Sequence, residues 1–118
     1  MTTRLYGITN CDTVKKARAL LQERQVPHVF IDFKKQGVPP EPLDQWMAAV
    51  GWELLLNRRG NTWRGLDESL RAGVDDEQSA RRLMLQHPSV IKRPVVEWPD
   101  GSVTVGFKPA DWAGRLPM

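Results

Sequence analysis

Apolar residues change their period several times along this chain, and each change predicts an element. Residues 4–8 form a short apolar run with β-prone Tyr6 and Ile8 and read as a strand. Val14, Ala17, Leu20 and Leu21 follow at helical spacing, with Asn10 or Asp12 as the candidate cap. Pro27 closes that region, and residues 28–33 alternate as a second strand. A strand, a helix and a strand in this order make a βαβ unit with parallel strands.

Residues 36–40 carry Gly37, Pro39 and Pro40 and read as a loop. Beyond it, Leu43, Trp46, Met47 and Val50 sit at i, i+3, i+4 and i+7, an amphipathic helix ended by Gly51. Residues 52–56 suggest a short helix, 57–61 a polar turn, and 63–70 one or two further helical turns. Asp75 or Asp76 caps a helix bearing Ala80, Leu83, Met84 and His87, stopped by Pro88. The end of the chain changes character. Two β-like runs, 94–98 and 102–107, flank Pro99-Asp100-Gly101, a turn that signals an antiparallel hairpin. Pro109 then suits the first turn of a last helix containing Trp112 and Leu116.

The order predicts an α/β fold of four strands in a mixed sheet, with helices packed on its faces. This is the thioredoxin-like plan, with a mainly helical insert over about residues 36–88 between its two halves. Residues 1–118 form a single domain on this reading. In such a plan the first strand delivers its following loop to the sheet's carboxyl edge, where α/β sites are found.

Composition narrows the function classes. At 118 residues, 41% apolar and 26% charged, the chain can bury a core without disulfides or metals. No apolar run is long enough to span a bilayer, and the first strand begins too early for a signal peptide. A cytoplasmic location is therefore expected, with no membrane partner. The net charge of +3 and pI of about 9.4 are mildly basic, and the basic residues fall in doublets interleaved with acids. No basic block or nucleic-acid motif appears, so nucleic acid is not an expected partner. A monomer is expected. His28 and His87 lack ligand partners at metal spacing, and no metal or tightly bound cofactor is expected.

The candidate chemistry lies at the junction of the first strand and first helix, where the only cysteine, Cys11, sits. A helix N-terminus offers unpaired N–H groups and about half a positive charge, which can bring a thiol well below its usual ~8.5. The alternative is a small hydrophobe in a loop. Asn10 adjoins Cys11, and Lys15 lies one turn on. Arg59 and Arg93 each lie beside a structural break, and a guanidinium fork suits carboxylates and oxyanions. As loop residues, both could equally be solvated. One cysteine cannot form an internal disulfide, so redox chemistry here must take its second thiol from another molecule.

Four segments in order resemble the ArsC-like family, which includes arsenate reductases and Spx regulators, and within it the YffB subgroup. They are residues 6–17 around Asn10-Cys11-Asp12-Thr13, residues 55–64 around Asn57-Arg58-Arg59-Gly60, residues 87–94 ending in Arg93-Pro94, and Val105-Gly106-Phe107. The resemblance implies a nucleophilic role for Cys11, resolution by glutathione, and anion binding by Arg93 and Arg59. It also implies a cis bond before Pro94. The third arginine of the family's arsenate reductases is missing, and Lys108 occupies that neighbourhood. A lysine cannot make the bidentate fork, so weak oxyanion binding is expected. Val14 stands three residues after Cys11, which excludes a Cys-x-x-Cys switch.

The reading that results is a glutathione-dependent thiol reductase or transferase acting on a small-molecule or protein thiol or disulfide. Two alternatives accompany it: a non-enzymatic Spx-like regulator that binds RNA polymerase, and a true glutathione-coupled arsenate reductase.

Overall fold

In the computed structural model, which describes residues 2–116, the chain divides into two compact units. One is built from the chain up to Asp32 and from Arg93 onward; the other is Phe33–Lys92.

The first unit holds the sheet. Its strands are β1 (Thr3–Gly7), β2 (His28–Asp32), β3 (Val95–Glu97) and β4 (Val103–Val105), in the order β2-β1-β3-β4. β1 runs parallel to β2, with Leu5 opposite Phe30 and Gly7 opposite Asp32. β3 is antiparallel to both neighbours, placing Tyr6 beside Val95 and Val95 beside Val105. The ends of β1, β2 and β4 and the start of β3 therefore share one edge. The expected four-stranded mixed sheet is present.

Alternation along β1 sends Leu5 to one face and Tyr6 to the other. On the Leu5 face, α1 (Asp12–Glu23) and α8 (Pro109–Ala113) close a core of Leu5, Val14, Ala17, Leu21, Val96, Trp98, Trp112 and Leu116. Trp112 meets Trp98 and Phe107 edge-on, at ring separations of 5.0 and 4.7 Å, the geometry that aromatic quadrupoles favour. The Trp98 indole N–H donates to Thr104 Oγ1 at 2.9 Å, which pairs its polar atom within the core. Beyond α8, Arg115 donates to Ser102 Oγ at 2.7 Å and lies over the Trp98 ring, tying the chain back to the hairpin. On the Tyr6 face, the Tyr6 hydroxyl donates to Glu97 Oε1 at 3.1 Å.

The second unit is helical: α2 (Phe33–Gln36), α3 (Pro40–Val50), α4 (Trp52–Leu55), α5 (Asn61–Arg64), α6 (Glu68–Ala72) and α7 (Glu77–Gln86), then a 3-10 turn at Pro88–Val90. The apolar stripes of α3 and α7 bury Leu43, Trp46, Met47, Ala80, Leu83 and Met84. Asp76 caps α7 by accepting from the Ser79 N–H at 2.8 Å, and Ser79 Oγ reciprocates toward the Asp76 N–H. Leu56 bridges Ile91, and Lys92 N–H donates to the Leu55 carbonyl at 2.7 Å, joining the two ends of the unit.

Several boundaries differ from the sequence expectation. Phe33 begins a helix rather than ending β2, because its ring is buried within the second unit against Trp46 at 6.0 Å. The helical turns at 63–70 become two helices, α5 and α6, separated by a break at residues 65–67. β4 ends at Val105 because Gly106 takes φ +83°, outside strand geometry. Among the described residues no helix is long and apolar enough to cross a membrane.

Candidate functional site

Cys11 itself is the N-cap of α1, where Asn10 and Asp12 were the expected candidates. Its backbone is extended (φ −143°, ψ 119°) and its carbonyl accepts the first helical bond from the Lys15 N–H at 2.9 Å. No side-chain cap bond forms, so the first N–H groups of the twelve-residue helix have no partner from this cap. Asp12 becomes the first helical residue, where a carboxylate complements the macrodipole. Cys11 is a free thiol, half-buried, and packs against the core beneath α1 and α8.

The approach of α1 to the end of β1 depends on Gly7. A Cβ at that position would lie 2.8 Å from Val14 Cγ2 and 3.4 Å from Cγ1, inside normal contact. The missing side chain lets the helix close on the strand just before the cysteine loop.

The β-registers bring further residues to the same edge. Arg93 and Pro94 lead into β3 through a cis peptide bond, and Arg93 is half-buried. The Gly106 N–H donates to the Pro94 carbonyl at 2.9 Å, fixing the segment after β4 to the start of β3. Lys108 follows as the N-cap of α8, exposed, with its carbonyl accepting from the Asp111 and Trp112 N–H groups. Asn10 and Lys15 are exposed on either side of Cys11. Asn10, Cys11, Lys15, Arg93, Pro94 and Lys108 therefore all belong to one end of one unit.

Arg59 belongs to the other unit. It lies exposed on the turn between α4 and α5, its N–H donating to Asn57 Oδ1 at 3.3 Å. Its neighbour Arg58 stacks over Trp52 at 5.3 Å.

Two residues outside the sequence-derived set also reach the edge. Asp32, only 6% exposed, ends β2 opposite Gly7, and Phe107 follows β4 with its ring against Trp112. Their signal in the sequence was the carboxyl end of a strand, which becomes readable only with the strand limits and register in hand. Asp100 and Asp76 carry carboxyl groups held below the ordinary range by hydrogen bonds from Ser102 and Ser79, respectively, and both belong to local caps and turns.

A single cysteine at the N-cap position of the first helix, at the carboxyl edge of a β2-β1-β3-β4 sheet with a cis-proline entering β3, defines a thioredoxin-like fold with one cysteine at that edge. The chain belongs to the ArsC family, whose profile matches residues 6–114. Among curated relatives, an uncharacterised protein of Haemophilus influenzae is 36% identical over 108 residues, covering 92% of this chain and 93% of that one. The global transcriptional regulator Spx of Bacillus subtilis is 24% identical over 94 residues, covering 78% and 70%. Among solved structures, a YffB protein is 49% identical with a TM-score of 0.91, covering 98% of this chain and all of its own. An arsenate reductase-related protein from Brucella melitensis is 50% identical with a TM-score of 0.75, covering 97% and 93%.

Proposed function

We propose that the protein is a glutathione-dependent thiol reductase or transferase in which Cys11 is the nucleophile. The observation that carries this reading is Cys11 as the N-cap of α1 at the sheet's carboxyl edge, beside the cis Arg93–Pro94 bond. Attack by the Cys11 thiolate on a disulfide sulfur forms a mixed disulfide and releases a thiol. The chain has no second cysteine, so a glutathione thiol resolves that adduct, restoring the Cys11 thiolate and leaving as a disulfide with the group that Cys11 carried, which is oxidised glutathione when that group is glutathione. Arg93 binds a glutathione carboxylate, with Lys108, Lys15 and Asn10 as further polar contacts. Glutathione is a co-substrate on this reading, and the protein acts in the cytoplasm as a monomer. Turnover of a small disulfide with glutathione tests it. The wild type should cycle many times and Cys11→Ser not at all; equal rates in both would contradict it.

Two other readings have specific support. The similarity to the global transcriptional regulator Spx favours a regulatory role, with RNA polymerase as the partner that the family resemblance implies. Binding of purified RNA polymerase that survives Cys11→Ser and is lost when exposed arginines are replaced would support it. The similarity to an arsenate reductase-related protein favours arsenate reduction. Lys108 in place of a guanidinium weakens the oxyanion fork. Glutathione-coupled arsenate turnover at millimolar substrate tests that reading directly.

A further inference from the structure

We propose that Phe107 is a specificity-determining residue at this edge, selecting mixed disulfides of glutathione whose other substituent is aromatic or bulky and apolar. The proposal rests on Cys11 being the nucleophile, and its test separates the two.

The register fixes the order of groups along the edge. Cys11 follows β1, Arg93–Pro94 precedes β3, and Phe107 follows β4. Neighbouring strands lie about 4.8 Å apart, so two spacings, roughly 10 Å, separate the ends of β1 and β4. Cys11 and Phe107 are both half-buried and both pack against the core under α1 and α8, so they share the helix-covered face as well as the edge.

Phe107 is also held in place. The hydrogen bond from the Gly106 N–H to the Pro94 carbonyl pins the preceding residue, and Trp112 meets the ring at 77° and 4.7 Å. Phe107 is only half-buried, so part of its surface still meets water. An apolar group laid on it gains by leaving water, whereas a small oxyanion gains nothing there. A substrate extended along the edge thus sets its sulfur at Cys11 and its substituent against Phe107, with Arg93 between them for a carboxylate.

The chemistry balances with glutathione as reductant. The Cys11 thiolate attacks the glutathione sulfur of the mixed disulfide, the sulfur–sulfur bond breaks, and the substituent leaves as a thiolate that takes a proton from water. A second glutathione, as thiolate, attacks the Cys11–glutathione disulfide. Cys11 leaves as thiolate and oxidised glutathione is released.

The test compares kcat/KM for two probes on the same preparation: the mixed disulfides of glutathione with benzyl mercaptan and with 2-mercaptoethanol. Partial unfolding cancels in their ratio. The wild type should prefer the benzyl probe by about tenfold, the scale on which an apolar contact discriminates. Phe107→Tyr should keep the preference and Phe107→Ala should reduce it to near unity. A wild-type ratio near one, or a ratio unchanged in Phe107→Ala, overturns the proposal while the Cys11 adduct still forms. The wild-type ratio decides even where Phe107→Ala does not fold. Absence of any Cys11 adduct with either probe overturns both the proposal and the reading beneath it.

Discussion

Gly7→Ala tests how the site is built. The added Cβ would sit 2.8 Å from Val14 Cγ2, about 1 Å inside ordinary carbon contact. Val14 is fully buried on α1 and β-branched, so it has little rotamer freedom to yield, and the helix must shift. Overpacking of this kind costs about 1–3 kcal/mol. Replacing glycine also restricts the unfolded chain, which returns about 0.4–1 kcal/mol. The net loss is about 1–2 kcal/mol. With an unfolding entropy of about 2.1 cal/mol/K per residue, Tm should fall by about 4–8 °C. Urea titration and thermal scans measure both. The Val14→Ala background supplies the control, since the nearest remaining atom would be the Val14 Cβ at 3.7 Å, an ordinary contact. Gly7→Ala should be neutral or slightly stabilising there. An equal loss in both backgrounds, or none in the wild type, would refute the account of Gly7.

Thr3 is 1% exposed, and its Oγ1 is buried without a hydrogen-bond partner among the described residues. Thr3→Val keeps the shape and removes that atom, so urea unfolding should show a gain of about 1 kcal/mol; a loss would mean the hydroxyl is paired. Burial first, and then the Glu97 carboxylate, raise the Tyr6 hydroxyl above its usual value. A raised folded-state value contributes stability below about pH 10 that is lost as pH climbs past it. Tyr6→Phe should therefore cost about 0.5–1.5 kcal/mol at neutral pH and flatten the alkaline limb of the stability profile. The Asp76 carboxyl is held below its usual range by the Ser79 N–H and hydroxyl. Its contribution is present above the ordinary carboxylate value and disappears as pH falls through the lowered one. Asp76→Asn should make unfolding less steeply acid-dependent below about pH 4, and an unchanged acid limb would exclude the capping box as its source.

The sheet, α1, α3, α7 and the hairpin were legible because each carries a clean period and a recognisable stop, such as Gly51, Pro88 or Asp100-Gly101. The junction of β2 with α2 was not. Phe33 continues the β-like alternation and leaves it only because its ring enters the helical unit's core, a long-range preference that no local pattern encodes. Cys11 was legible as a junction residue but not as the cap itself. Its polar neighbours Asn10 and Asp12 have the side chains that normally cap, whereas the cysteine takes the position through backbone geometry alone. Asp32 and Phe107, the latter marked only as part of the Val105-Gly106-Phe107 segment, had no site role in the sequence because their place at the edge follows from register, and Gly106 ends β4 through a positive φ that glycine permits but does not announce.

Intact-protein mass spectrometry after exposure to oxidised glutathione reaches the central claim most directly. The account predicts one glutathione per chain on the wild type, removed by added glutathione, and none on Cys11→Ser. A wild-type chain that stays unmodified, or an adduct that persists in Cys11→Ser, would contradict it.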